Sequence, residues 1–95
     1  MHKYEVMYIL RPESDEEAVQ AVADKLSNVI ASNQGEVEKF ENMGKRRLAY
    51  EIDNLREGIY GLIYFTGNGE TVAELDRIMK IDDQLIRHMI VREDD

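Results

Sequence analysis

Gly58-Ile59-Tyr60-Gly61-Leu62-Ile63-Tyr64-Phe65 is a strongly β-prone run of aromatic and β-branched residues. It holds no charge and no proline, and its apolar residues fall on both alternating faces. That pattern predicts a central strand, covered on both edges by neighbours. On its C-terminal side, Gly67-Asn68-Gly69 breaks the run. Val72, Leu75, Ile78 and Met79 then recur at helical spacing, with either Asn68 as N-cap or Thr71 and Glu74 as a capping box. Asp82-Asp83 closes that helix, and residues 85–92 read as a last strand. On the N-terminal side, residues 53–57 read as a turn and residues 46–52 as a strand with Leu48, Tyr50 and Ile52 on one face. Residues 36–40 are also strand-like. Asn42-Met43-Gly44 between them is either a bulge in one long strand or a hairpin turn.

The first third of the chain completes the order. Tyr4, Val6, Tyr8 and Leu10 alternate with Glu5, Met7 and Ile9, a strand that Arg11-Pro12 ends. Ser14 precedes Glu17 at capping-box spacing, and Asp15, Glu16 and Glu17 suit a helix N-terminus. Ala18, Val19, Val22, Leu26, Val29 and Ile30 form the apolar stripe of a helix over residues 14–33, with Gly35 placed to cap its end. Strand, helix, strand, strand, helix, strand is the order of an α+β, ferredoxin-like split βαβ sandwich: a four-stranded antiparallel sheet with both helices on one face. Residues 1–95 are expected to form one domain, since chains divide only well above this length. The second sheet face would lack a helix, yet both strand faces keep apolar residues. That face or an edge is therefore a candidate docking surface, with ordinary partly exposed apolar surface the plainer explanation.

Twelve basic and twenty acidic side chains leave a formal charge of −8. An acidic chain is a poor free-standing ligand for nucleic acid, because phosphate binding draws on Lys and Arg. The absence of cysteine excludes disulfides, thiolate metal sites and a cysteine nucleophile. Two histidines, His2 and His88, are too few for a self-contained histidine metal site. No apolar run approaches the roughly twenty residues that span a bilayer, and the first residues do not resemble a signal peptide. A soluble, intracellular protein without cofactor or metal is the expectation.

Against that acidic background, Gly44-Lys45-Arg46-Arg47 stands out. Guanidinium groups grip phosphate oxygens in pairs and Lys45 adds a point charge, so the run suits a phosphate-contacting patch. A solvated turn balancing Glu36, Glu38 and Glu41 is the plainer explanation. Lys3, Arg11, Arg56, Arg87 and Arg92 could extend the patch, although each alone reads as a rim charge. Tyr60-Gly61-Leu62-Ile63-Tyr64-Phe65 partly imitates the aromatic strand of RNA-recognition-motif domains, but the leading cation, the second glycine and one stacking ring are missing; packing explains it better. His88 reads as a satisfied structural histidine on the last strand, sharing its face with Ile86 and Ile90. Asp82-Asp83 lacks the ligand spacing of a calcium loop, and no glycine-rich phosphate loop or acid–base pair emerges. The sequence thus offers no catalytic constellation, and no enzyme is expected.

Gly44-Lys45-Arg46-Arg47-Leu48-Ala49-Tyr50 follows Gly35-Glu36-Val37 by about ten residues. With Tyr4-Glu5-Val6-Met7-Tyr8-Ile9, Gly58-Ile59-Tyr60 and Ile86-Arg87-His88-Met89-Ile90-Val91 in this order, the chain resembles the bacterial small-subunit ribosomal protein six family over essentially its whole length. Met43 stands where family members often carry Trp, and Glu51 where many carry Pro; neither change touches the basic residues. Only Glu93-Asp94-Asp95 corresponds to the acidic tail of some relatives. The resemblance implies a ferredoxin-like fold and a structural constituent of the small ribosomal subunit, cytoplasmic and ribosome-bound. It further implies binding to small-subunit ribosomal RNA as a heterodimer with small-subunit ribosomal protein eighteen. Lys45, Arg46 and Arg47, with Lys3, Arg87 and Arg92, are the candidate RNA-binding residues. A basic partner would resolve the charge paradox, since the pair buries complementary charge and presents a composite surface. Two other uses of the same strand order remain open: an effector-binding module of the ACT type, and a small enzyme whose residues meet only in space.

Overall fold

The computed structural model describes residues 1–93, so Asp94 and Asp95 of the expected acidic end lie outside the described residues. Six elements follow in order: β1 (His2–Leu10), α1 (Glu16–Ser32), β2 (Glu36–Ile52), β3 (Leu55–Gly67), α2 (Gly69–Lys80) and β4 (Leu85–Arg92). The four strands form one sheet in the order β2-β3-β1-β4, and every neighbouring pair is antiparallel. The β-prone run is therefore central, as its composition requires. Val6, Tyr8 and Leu10 of β1 and Ile59, Ile63 and Phe65 of β3 pack in one cluster with Val22, Leu26 and Ile30 of α1 and Leu75 and Met79 of α2. Both helices thus cover the same sheet face, and the ferredoxin-like expectation holds.

Several local expectations are refined. The N-cap of α1 is Asp15, not Ser14: the Asp15 carboxylate accepts from the Ala18 N–H at 2.8 Å, leaving Ser14 to close a turn on the Arg11 carbonyl. At the end of α1 it is Gln34 that takes the left-handed conformation (φ 68°), not Gly35. Glycine is needed at 35 for space, because a Cβ there would lie 2.8 Å from the Thr66 carbonyl and 2.7 Å from Ile30 Cγ2. For α2 the choice falls on Asn68, whose side chain accepts from the Glu70 and Thr71 N–H groups while Thr71 Oγ1 accepts from the Asn68 N–H.

The segment between residues 36 and 52 is one long strand with a bulge, where Asn42 faces Gly61 and Gly44 faces Tyr60. Gly44 adopts φ 77°, and its N–H is held by the Asn42 side chain at 3.0 Å. The expected turn over residues 53–57 is shorter. Asp53 and Asn54 alone connect β2 to β3, with φ 51° and 66°. Two positive-φ residues match the twist of a tight hairpin, and Asp and Asn tolerate them.

Tyr8 is the least expected core member. Its ring is 1% exposed, and its hydroxyl has no hydrogen-bond partner among the described residues. Burial pushes the phenol up to about 12. A buried donor without a partner costs stability, whereas an apolar group of the same shape does not. Tyr8→Phe is therefore expected to raise stability by about 1 kcal/mol in urea unfolding. A loss of that size would show that the hydroxyl is satisfied in solution.

Candidate nucleic-acid interface

The β2–β3 hairpin outruns the rest of the sheet. β1 ends at Leu10 opposite Ile59, so the hairpin continues beyond the β1 ladder from Arg46 and Gly58 outward. Within this arm the register slips: Arg47 faces Glu57 and Ile52 faces Leu55, so residues 48–51 stand opposite Arg56 alone. Extra residues in one strand bend it and increase its local twist. Here the bend carries the arm over the sheet face that the helices leave open. Leu48, Tyr50 and Ile52, on one face as expected, meet Met7, Ile9 and Met89 around a cleft of about 190 Å³. The cover explains why Ile9 and Leu48 are buried although no helix touches that face. The arm is tied to β4 by Arg87, which donates to the Tyr50 hydroxyl, its guanidinium 5.8 Å from the ring centre.

The six candidate cations divide. Lys45, Arg46 and Arg47 are exposed at the base of the arm, and none forms an ion pair among the described residues. Arg46 donates from Nε to the Met43 carbonyl at 3.2 Å, which steadies it across the bulge. Lys45 lies beside Ser14 and Glu16 at the start of α1, while Arg47, the last residue before the register slip, shares a shallow depression with Tyr50 and Arg56. Arg56 is paired to Glu51 at 3.2 Å. Arg87 belongs to the same end of the molecule. Lys3 and Arg92 do not: they sit where β1 begins, beside Thr66 and Tyr4 in the ladder. Arg87 and Arg92 are five positions apart on β4, roughly 17 Å of strand. Arg11 is structural, its Nε donating to the Asp83 carbonyl at 2.9 Å and its N–H to the Gln84 carbonyl at 3.0 Å.

Charge differs between the two ends. On the open face near the start of β1, desolvation and then the Glu5, Glu41 and Glu93 carboxylates push the Tyr64 hydroxyl upward. Lys39 balances part of this cluster through Glu41 at 2.8 Å and the Tyr64 ring. On the arm, Lys45, Arg46, Arg47 and Arg56 outnumber Glu51, Asp53 and Glu57. Sequence reading missed the Tyr50–Arg87 tie and the cleft, because both depend on residues far apart in the chain.

His88 is half-buried against α2, with Nε2 2.8 Å from Asp76 Oδ1, the structural role its position suggested. Ile86 does not share its face. A register shift beside Leu10 turns Ile86 to the open side, where its Cδ1 would lie 3.5 Å from a Cβ at position 58. Hydrogen bonds from Lys80 at 2.9 Å and from His88 hold the Asp76 carboxyl below the usual carboxylate range. A lowered folded pKa adds stability above the unfolded value near 3.9, lost as pH falls through the folded one. The Asp76 side chain is 37% exposed, so solvent screens the effect. Asp76→Asn is expected to cost less than about 1 kcal/mol at pH 7, and variant and parent should converge in acid, once the Asp76 carboxyl is protonated in the folded state. A gap that persists in acid would assign the effect to packing. Among the described residues, no group of three or more His, Asp or Glu side chains could hold a metal ion.

A helix-backed sheet with one open face and a charged arm folded across it defines a ferredoxin-like protein that displays surface for assembly. The model of the family described as Ribosomal protein S6 matches residues 3–92. Small ribosomal subunit protein bS6 of Desulforamulus reducens is 52% identical over 93 residues, covering 98% of each chain. Its counterpart in Exiguobacterium sibiricum is 50% identical over 94 residues, covering 99% of each. The crystal structure of 30S ribosomal protein S6 from Thermotoga maritima superposes with a TM-score of 0.91 at 32% identity, covering 97% of this chain and 87% of that one. The chain belongs to the ribosomal protein S6 family. It is a structural, non-enzymatic protein of the small ribosomal subunit, working on the ribosome in the cytoplasm. This separates the ribosomal reading from the effector-binding and enzymatic ones that strand order alone left open.

Proposed function

We propose that residues 1–95 act as one domain that binds small-subunit ribosomal RNA together with small-subunit ribosomal protein eighteen. The observation that carries this reading is the Lys45-Arg46-Arg47 run, exposed and free of ion pairs among the described residues, on an arm projecting from a chain of net charge −8. Cations left unpaired in so acidic a protein are available to phosphate oxygens. Arg87 contributes by tying down the arm, and Lys3 and Arg92 form a second, separate contact region. The Glu5, Glu41 and Glu93 end suits a basic protein partner, which would relieve the repulsion between this chain and RNA. The arm then faces RNA, while at the other end the Glu5, Glu41 and Glu93 cluster faces the partner with Lys3 and Arg92 beside it as further RNA contacts, and each binding event strengthens the next. A gel-shift titration tests the order of assembly. Weak binding of the chain alone and tight binding with its partner are expected; equal, tight binding without the partner contradicts the reading.

A further inference from the structure

We infer that the cleft beneath the β2–β3 arm takes one unstacked base of the bound RNA, while the arm cations hold the neighbouring phosphates. This rests on the RNA-binding reading above and adds a site to it. The cleft has about 190 Å³ between the arm and the open sheet face. Drug-sized ligands need about 300–1,000 Å³, whereas an apolar cavity of roughly 150 Å³ accepts a benzene ring. The space therefore fits one ring system. Its walls are the Tyr50 and Tyr60 rings, the Met7 and Met89 side chains and Leu48, with one cation, Arg87. Aromatic and thioether groups offer every base a face to stack on, without demanding one sequence.

Charge decides between occupants. Arg87 lines the cleft itself. Leu48, Ala49 and Tyr50 border both the cleft and the depression that holds Arg47 and Arg56, so these arginines lie one strand away. Among the described residues Arg56 is already paired with Glu51 and Arg87 already donates to the Tyr50 hydroxyl, so a nucleotide brings its phosphate chiefly to the unpaired Arg47, with Arg87 as the cation beside the base; a basic protein segment finds no unpaired carboxylate lining the cleft. Tyr50 is 60% exposed and Met89 50% exposed, which keeps the mouth open to solvent.

The test uses the complex of the chain, its partner protein and small-subunit ribosomal RNA, with affinity measured across a salt series. Tyr60→Leu and, separately, Met89→Ala remove base contacts and leave every cation in place. Each is expected to weaken binding roughly tenfold without changing the slope of log affinity against log salt. Thermal unfolding of each variant separates this from misfolding, and Met89 lies on an edge strand where alanine is tolerated. RNA containing 4-thiouridine should crosslink to peptides bearing Tyr50, Tyr60 or Met89. Unchanged affinity in both variants, or 4-thiouridine crosslinks that fall on the arm cations and miss Tyr50, Tyr60 and Met89, overturns the inference while leaving RNA binding by the arm intact. If the complex itself fails to bind RNA, the underlying reading fails instead.

Discussion

Gly61→Ala is expected to destabilise the fold by about 2–3 kcal/mol, although alanine is a better strand residue than glycine. Gly61 sits directly opposite Tyr8 in the β1–β3 ladder, and the Tyr8 ring lies back across it. A Cβ at position 61 would meet Tyr8 Cζ and lie 2.5 Å from the hydroxyl and 2.7 Å from Cε2. The ring has nowhere to go: it is 1% exposed and belongs to the cluster formed by both helices. Overpacking a filled core forces strained rotamers or backbone shifts. The origin of the loss is checked by a double-mutant cycle. In a Tyr8→Leu background, which removes the ring, Gly61→Ala should cost less than about 1 kcal/mol, giving a coupling energy of at least 1 kcal/mol. Additive losses in denaturant unfolding would show that the glycine serves some other end.

Replacing Lys45, Arg46 and Arg47 together by alanine should weaken the RNA complex on the order of a hundredfold and reduce the salt slope by about 2–3. The reason is counterion release: each phosphate neutralised by a fixed cation frees a condensed ion, and that entropy disappears with the cation. The three side chains have no acidic partner among the described residues, so their removal leaves no buried charge unpaired. All three are exposed, and thermal stability should stay within about 0.5 kcal/mol of the parent. The variant thus separates binding from folding. An unchanged salt slope would remove the run from the interface and leave Lys3 and Arg92 as the cations to examine.

The difference between these two results follows the difference between local and non-local information. The stripe from Val22 to Ile30, the cap at Asn68 and the alternation of Tyr4, Val6, Tyr8 and Leu10 with Glu5, Met7 and Ile9 are local patterns with their own periods. They place each element and its inward face before any tertiary contact exists. The misplacements were local competitions of nearly equal terms. Ser14 and Asp15 are both good N-caps, and Gln34 and Gly35 both stand at the end of α1. Packing broke those ties: the close approach of Ile30, Thr66 and Thr71 leaves position 35 no room for a side chain.

The site divides the same way. Lys45-Arg46-Arg47 was legible because three like charges are adjacent in the chain, and the residues that identify the family are contiguous runs. Arg87 looked equivalent to Arg92, five positions on along the same strand. Only the folded arm distinguishes them, by bringing the Tyr50 hydroxyl to one and leaving the other at the far end of β1. By itself, then, the sequence determined the strand and helix order, the core faces, the acidic balance and the cationic run, because these arise from neighbours along the chain. Tertiary structure alone decided that the hairpin arm bends over the open face, that a cleft forms beneath it and that the candidate cations separate into two regions. Those outcomes depend on the strand register, on three extra residues opposite Arg56 and on contacts across tens of positions, which no local pattern encodes.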